Sequence, residues 1–304
     1  MTRGFITIAT GKKHYYEIAA NLLKSYKHYS AKPLPFAIIC EEKNEYTALF
    51  DNVIITDEST HSFMDKLLLL KLCPYDENIF IDADSLAYGD LNAYVDFFAG
   101  ATDFSAIGIN VSLESKDAWY DVDGIWKYGE MIQYKCRVHS GVMFIRNTEK
   151  LKKLYADCLD IYSNYDKLHF RICANSCDEA TLGIAMPMNN MKCVHENPTM
   201  LAAYPCLTYL DADILHDRLS YETQWAGRTD KGILLHFGTF HTYEPLYKFN
   251  VECLELKACN GQLSFFNMLL YDKKLKLKVM TACYQVIRFF RRVVNKLLRQ
   301  HKDI

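Results

Sequence analysis

Long hydrophobic runs are missing from this sequence: nowhere do the roughly 18 uncharged apolar residues that a membrane-spanning helix needs follow one another. Its start lacks the basic segment, apolar stretch and small-residue cleavage site of a secretory signal, because residues 1–4 lead directly into a short apolar strand. Charge of one sign is nearly balanced, with 35 Lys and Arg against 37 Asp and Glu and a formal net charge of -2. The chain as a whole therefore has no electrostatic reason to seek nucleic acid. Neither Gly-x-Gly-x-x-Gly nor a Walker pattern is present, so Gly11 by itself is not a phosphate loop. Internal repeats and low-complexity linkers are absent. The 11 cysteines have no repeating spacing. Cys136 with His139, Cys173 with Cys177 and Cys193 with His195 do not join two short ligand clusters, which excludes a zinc-finger framework. Cys40 and Cys73 lie in apolar runs, as buried thiols do in a reducing compartment, and the expected location is cytoplasmic.

Half of the 304 residues are hydrophobic, enough for one large α/β domain with an appendage. Residues 5–10 have the β-branched richness of a buried strand. Gly11 ends it, and residues 15–29 carry Ile18, Leu22, Leu23 and Tyr26 at helical spacing. Strands follow at 36–40 and 52–56, a helix at 63–72, and a fourth strand at 78–81 that closes on Asp82. Further strands are expected at 104–109, 141–145 and 232–237, with helices from 148 to about 165 and from Asp178. Segments 192–195 and 204–210 fit either short strands or loops. Strands alternating with helices predict an α/β fold with a doubly wound, mostly parallel sheet covered on both faces. Residues 1–250 would form the catalytic domain and 251–304 a helical region.

The chemistry concentrates at Asp82-Ala83-Asp84, at the end of a hydrophobic strand, where open α/β sheets bind ligands. Two carboxylates one residue apart on a strand turning into a loop can share one hard cation, which in turn bridges diphosphate oxygens. Asp84-Ser85 could instead form a turn or a helix cap. An aspartate-nucleophile phosphatase also carries Asp-x-Asp after an apolar strand, but usually on its first strand, whereas here two or three βα units come before. Thr10 and Tyr15 follow the first strand, whose turn commonly lines a nucleotide base.

With its neighbours, Ile79-Phe80-Ile81-Asp82-Ala83-Asp84-Ser85-Leu86 followed by Gly89-Asp90-Leu91 resembles the metal-binding segment of glycosyltransferase family 8, which includes glycogenin-like and lipopolysaccharide galactosyltransferase-like enzymes. Met64-Asp65-Lys66-Leu67 places a lysine where that family has a donor-reaching basic residue. His139-Ser140-Gly141-Val142-Met143 is similar to its Asn-Ser-Gly-Val strand entry, and Asp178-Glu179-Ala180-Thr181-Leu182 to its Asp-Gln motif. Leu235-His236-Phe237-Gly238 is similar to the strand whose histidine is a third metal ligand. The order matches over roughly residues 4 to 245. The resemblance implies a Rossmann-like GT-A fold and a metal-dependent transferase using a nucleotide diphosphate sugar, uridine diphosphate by family habit, with retention of anomeric configuration. It implies Mn2+ or Mg2+ on Asp82, Asp84 and His236, donor contacts from Thr10, Tyr15, Lys66, Asp82, Ala83, Asp84, His139, Ser140, Gly141, Gly238 and His241, and catalytic roles for Asp178 and Glu179. A glycan or lipid-linked glycan would be the acceptor.

Three positions depart from the pattern. His139 replaces asparagine, Glu179 replaces glutamine, and the Lys-Pro-Trp ending is absent, with His241 and Thr242 nearest to it. A carboxylate at Glu179 would offer full charge to an oxocarbenium-like centre where an amide offers only a dipole. The alternatives are a phosphatase or nucleotidyltransferase using the same carboxylates, and a nucleotide-sugar-binding protein without turnover.

Residues 273–302 carry ten Lys and Arg and no acidic residue. Tyr284, Ile287, Phe290, Val294, Leu297 and Leu298 recur at steps of three and four, flanked by Arg288, Arg291, Arg292, Lys296 and Arg299. Such a basic amphipathic helix suits an anionic membrane surface, so residues 273–304 are expected to dock on the inner face of a membrane. Packing on the domain or on a second subunit is the other reading, and oligomerisation stays open.

Overall fold

The structure, a computed structural model, describes residues 1–170, 177–224, 227–258 and 270–300, with the backbone alone of Pro205 and 293–300. Its first half runs Arg3–Ala9 (β1), Lys13–Tyr29 (α1), Phe36–Cys40 (β2), Asn52–Ile55 (β3), Leu69–Leu72 (α2), Glu77–Ile81 (β4), Ser85–Ala87 (β5) and Ala93–Phe97 (α3). Then come Phe104–Val111 (β6), Lys135–Arg146 (β7), Glu149–Ser163 (α4), Asp178–Met188 (α5), Val194–His195 (β8), Ala202–Ala203 (β9), Leu207–Asp213 (β10), Arg218–Thr223 (β11), Gly227–Thr229 (β12), Leu234–His236 (β13), Pro245–Ala258 (α6) and Leu275–Gln300 (α7).

The main sheet has the order β3-β2-β1-β4-β7-β6-β8. All neighbours run parallel except at β7, which is antiparallel to both β4 and β6. The alternation of side chains along each strand builds two cores. Phe5, Phe36, Ile38, Ile79 and Ile81 face one side, against α1 and α6. Ile6, Ala37, Ile39 and Phe80 face the other, against α4 and α5. The expected doubly wound, mostly parallel α/β sheet is what forms, and its strands read as continuous apolar runs because both faces are covered.

Several elements differ from the sequence expectation. Residues 63–72 are not one helix: Phe63–Leu68 is a 3-10 helix that passes into the single turn of α2. Strand β7 is much longer than residues 141–145, and β5 and β11 had no counterpart in the sequence reading. Strand β13 stands outside the main sheet, in a small one ordered β5-β13-β9. The boundary expected at residue 250 falls inside α6, whose Phe249 and Cys253 belong to the main core. Cys40, Cys136, Cys158, Cys193 and Cys253 are buried free thiols, whereas Cys206 and Cys283 are exposed. Cys173 lies outside the described residues.

At the end of the sheet away from the carboxylates, Glu77 is 3% exposed. Arg3 Nε donates to its Oε2 at 2.7 Å, and Arg146 donates to Oε1 through its terminal nitrogen at 2.8 Å and Nε at 3.2 Å. Burial would raise this carboxyl, but the two guanidinium groups hold it below its ordinary range. Its stabilising effect is therefore complete above the unfolded pKa and lost as pH falls through the lower folded one. Glu77→Gln is expected to cost about 2 kcal/mol at neutral pH. Urea midpoints of the two proteins should converge as the pH is lowered; a difference that stays constant in acid would show that the ion pairs are not its source.

Helix α7 starts on the body, where Leu277 and Met280 pack against the first core. From 285 to 292 every side chain is exposed, with Phe289 at 63% and Phe290 at 60%. Of the residues expected to form its apolar face, Ile287 and Phe290 are thus solvent-facing, and the side chains of Val294, Leu297 and Leu298 lie outside the described set. No described helix is long and apolar enough to cross a membrane.

Candidate active site

Asp82 and Asp84 follow β4 directly, at the carboxyl end of the parallel strands. Two pairings bring distant residues to them. Ile81 pairs with Val142 in β7, and the Asp82 amide donates to the Gly141 carbonyl at 2.9 Å, which sets Ser140 and Gly141 beside the first carboxylate. In the small sheet Ser85 pairs with His236, and the Phe237 amide donates to the Asp84 carbonyl at 3.0 Å. Asp84 therefore lies in the turn that the sequence allowed, and Ser85 opens the strand that follows it.

Ligand atoms of Asp82, Asp84 and His236 all lie within 4.8 Å of one another. His236 Nε2 is 3.0 Å from Asp84 Oδ1 and 3.5 Å from Asp82 Oδ2. Asp84 Oδ1 is buried with no partner other than this 3.0 Å charge contact with the imidazole. So sparsely partnered a buried carboxylate oxygen is costly, unless a cation collects it together with the imidazole. The donor set, two carboxylates and one imidazole, suits Mn2+ or Mg2+. The other oxygen, Oδ2, accepts from the Thr239 hydroxyl at 3.0 Å. Thr239 escaped the sequence reading; its one signal was its place in the turn three residues after His236.

Lys66 sits among the carboxylates rather than free on a helix. Its Nζ donates to Asp82 Oδ2 at 2.9 Å and to Ser140 Oγ at 3.0 Å, and lies 3.1 Å from Asp178 Oδ2. Burial would lower this ammonium, but Asp178 and Asp82 raise it well above the ordinary lysine range. Asp178 is the first residue of α5 and turns toward Lys66, so it does not act as that helix's cap. Glu179 Oε1 accepts from the Ser140 amide at 3.0 Å. Burial, followed by the charge of Asp178, pushes Glu179 up to about 7.

His139 lies with its ring 5.6 Å from that of His236. Its Nδ1 accepts from the Gly141 amide at 3.2 Å. Burial, reinforced by positive charge at His236 and Lys66, pushes His139 down to about 3, so it stays neutral. For His236 burial is outweighed by Asp84 and then Asp82, which raise it to about 8. Burial likewise would raise Asp84, but His236, Lys66 and Thr239 hold it at about 2; burial prevails at Asp82, which is raised. Four carboxylates, of Asp82, Asp84, Asp178 and Glu179, thus face one ammonium and one imidazole, a deficit of positive charge that a dication would remove.

Gly141 is where a side chain cannot be added. A Cβ there would stand 2.9 Å from His139 Cε1 and 3.2 Å from His236 Nδ1. Gly141→Ala is expected to displace both rings, to cost about 1 to 3 kcal/mol through overpacking, and to weaken Mn2+ binding in calorimetry. Unchanged metal affinity would show that the His236 position does not depend on this gap.

The remaining expected residues are placed less directly. The Thr10 hydroxyl donates to Asp65 Oδ2 at 2.8 Å, joining Ser59 and Thr60 on that carboxylate, so it braces a loop. Tyr15 packs half-buried against the first core. Gly238 has φ 73°, and its carbonyl accepts from the His241 amide, opening a 3-10 turn. His241 Nδ1 lies 3.0 Å from Glu244 Oε1. The same turn is tied back to α1, where His14 Nε2 is 2.7 Å from the Thr242 hydroxyl and its ring stacks on Tyr243.

Strand order, the single antiparallel strand β7 and the carboxylates at the end of β4 define the GT-A class of folds. Solved structures of LgtC are among those that the chain matches. A galactosyltransferase LgtC structure in complex with donor and acceptor sugar analogues matches with a TM-score of 0.53 at 13% identity, over 86% of this chain and 97% of that one. A structure of an active-site mutant of LgtC, in which glutamate replaces glutamine, gives 0.54 at the same identity and coverage. No protein-family profile and no curated protein matches the chain by sequence.

Proposed function

We propose that this chain is a metal-dependent glycosyltransferase that moves a sugar from a nucleotide diphosphate sugar, uridine diphosphate by family resemblance, to a glycan or lipid-linked glycan with retention of configuration. The observation that carries the reading is the convergence of Asp82, Asp84 and His236, whose ligand atoms lie within 4.8 Å of one another, beside Lys66 in a GT-A fold. Of the structural neighbours, one LgtC structure holds both donor and acceptor sugar analogues.

Asp82, Asp84 and His236 would hold Mn2+ or Mg2+, which when bound neutralises charge on the departing diphosphate. Lys66 fixes Asp82 and Asp178 relative to Ser140, so the donor would meet a charged wall already ordered before it binds. Neutral His139, its Nδ1 engaged by Gly141, is left with Nε2–H as a donor to a sugar or phosphate oxygen. Glu179, held by the Ser140 amide, would place negative charge near the anomeric centre as it becomes cationic. His241, nearest to the absent Lys-Pro-Trp ending, would contribute a donor contact from the turn after β13. The sequence of residues 273–302 and the exposed face of α7 support attachment to the cytoplasmic surface of a membrane.

The test is a panel of nucleotide sugars assayed for hydrolysis and transfer with and without Mn2+. Metal-dependent release of nucleoside diphosphate from one donor is expected. Phosphate release that needs no sugar would turn the reading toward a phosphatase. Tight metal-dependent nucleotide binding without any turnover would leave a binding protein.

A further inference from the structure

The turn that follows β13 is a 3-10 helix, Thr239–Tyr243, and side chains three residues apart on such a helix eclipse one another, so it presents three faces. Thr239 and Thr242 form the inner one. The Thr239 hydroxyl donates to Asp84 Oδ2 at 3.0 Å, and the Thr242 hydroxyl donates to the Thr239 carbonyl at 2.6 Å and lies 2.7 Å from His14 Nε2. His241 and Glu244, 3.0 Å apart, form the second, over which Tyr204 closes: its hydroxyl donates to Glu244 Oε2 at 3.1 Å and its ring lies 4.8 Å from that of His241. Phe240 and Tyr243 form the third face, 86% and 47% exposed. A single exposed aromatic needs no explanation. These two stand on a turn that is tied down on both its other faces, and Phe240 follows directly the residue that holds a carboxylate of the metal cluster.

Helix α7 ends its packing beside this turn. Near its start, Lys276 lies 2.6 Å from Glu252, two turns into α6. Its half-buried stripe is Leu277, Met280, Thr281 and Tyr284, at helical spacing. Tyr284 ends that stripe next to Tyr204, whose phenol is pushed up to about 12 by burial first, then by Glu244 and by Tyr284. The helix therefore climbs back along α6, from Glu252 to the level of Glu244, and its last packed side chain meets the ring that covers the turn. From 285 to 292 every side chain is exposed. Arg288, Arg291, Arg292, Lys296 and Arg299 fall between 285 and 300, and no Asp or Glu does. At 1.5 Å per residue this free end is about 24 Å long.

We propose that the turn after β13 is itself a lipid-contact element: Phe240 enters the boundary between headgroups and acyl chains of an anionic membrane, with Tyr243 beside it, so that the cluster of Asp82, Asp84 and His236 opens at the lipid surface. Phenylalanine brings apolar area with no polar group to desolvate, and tyrosine an apolar ring with a hydroxyl for the headgroups, as interfacial aromatics do. The cations of α7 supply the attraction to an anionic surface that the turn lacks. Those cations alone would suit any polyanion; the uncharged aromatic face next to them selects a surface with an apolar boundary. The inference rests on the reading of α7 as a membrane-docking helix and not on the transfer of sugar.

The full chain, its Phe240→Ala variant and its Phe240→Trp variant are sedimented with vesicles of phosphatidylcholine and phosphatidylglycerol, with unchanged thermal midpoints as the check on folding. The native and Phe240→Trp proteins are expected to bind alike and the Phe240→Ala protein about tenfold more weakly. Vesicles with brominated acyl chains should quench the fluorescence that the Phe240→Trp protein has in excess of the native one. Native affinity in the Phe240→Ala protein, with no quenching of that excess, overturns the proposal and leaves α7 as the lipid contact. Failure of all three proteins to bind the anionic vesicles overturns it together with the membrane reading of α7. None of these measurements uses turnover, so each result holds whether or not the nucleotide-sugar panel finds a donor.

Discussion

Asp84→Asn is expected to lower metal-dependent turnover of the donor by on the order of a thousandfold while the protein stays folded. The substitution keeps the shape of the side chain, and an amide oxygen can still accept from the Thr239 hydroxyl that now bonds Oδ2. What disappears is the charge on Oδ1, the atom 3.0 Å from His236 Nε2 that has no other partner. Several kcal/mol of charge stabilisation would go with it, because Asp84 is buried and the cation would lose one of its two carboxylate ligands. Mn2+ affinity should fall in parallel, and an excess of metal should restore part of the rate. Equal rates for the two proteins on every donor, with circular dichroism unchanged, would remove the metal role from this cluster and with it the main support for sugar transfer.

Glu179→Gln separates catalysis from stability. The glutamine oxygen can accept from the Ser140 amide as Glu179 Oε1 does, at 3.0 Å in the native chain, so the local geometry survives. Glu179 titrates at about 7 against 4.5 for an ordinary glutamate. Its folded pKa is raised, so between these values the unfolded chain has released a proton that the folded one still holds. Stability therefore falls as pH rises from about 4.5 to about 7, by about 3 kcal/mol in all, and is level above that. Glutamine does not ionise, and measured without divalent cations the variant should be more stable by about that amount at pH 8. Turnover should move the other way, down by on the order of a hundredfold at pH 8, with the gap narrowing below pH 6 where the native side chain is itself neutral. A stability gain with turnover equal at every pH would make Glu179 a burden on the fold without a role in transfer. LgtC has been solved with the reverse exchange at an active-site glutamine, which makes a side-by-side comparison of the two scaffolds practicable.

How far the site was visible beforehand can be judged from particular residues. Asp82 and Asp84 were legible as a strand-end carboxylate pair, whereas His236 became a candidate ligand only through the resemblance to glycosyltransferase family 8. Lys66 was legible as a lysine one helix upstream through the family resemblance, but its contacts with Asp82, Ser140 and Asp178 were not, since those partners lie 16, 74 and 112 residues further along the chain. Thr10 shows the opposite case. Its position after β1 suggested a nucleotide contact, yet its hydroxyl is spent on Asp65, a partner 55 residues away. Strand β13 had the composition of a main-sheet strand but pairs with β5 and β9, because a three-residue strand with two leucines is satisfied by any sheet edge that offers hydrogen bonds.

The sequence by itself determined the alternating α/β order, the apolar strands of a sheet covered on both faces, the carboxylate pair at the end of the fourth strand, and the basic amphipathic end. These are properties of local composition and periodicity, and they need no knowledge of what lies opposite. Only the tertiary structure decided that His236 meets Asp84, that Gly141 must lack a side chain, and that Glu179 is held on the Ser140 amide. Each of these depends on pairing register and on charges brought close by burial, and neither the distance between two segments nor the dielectric around a carboxylate is written in either segment alone.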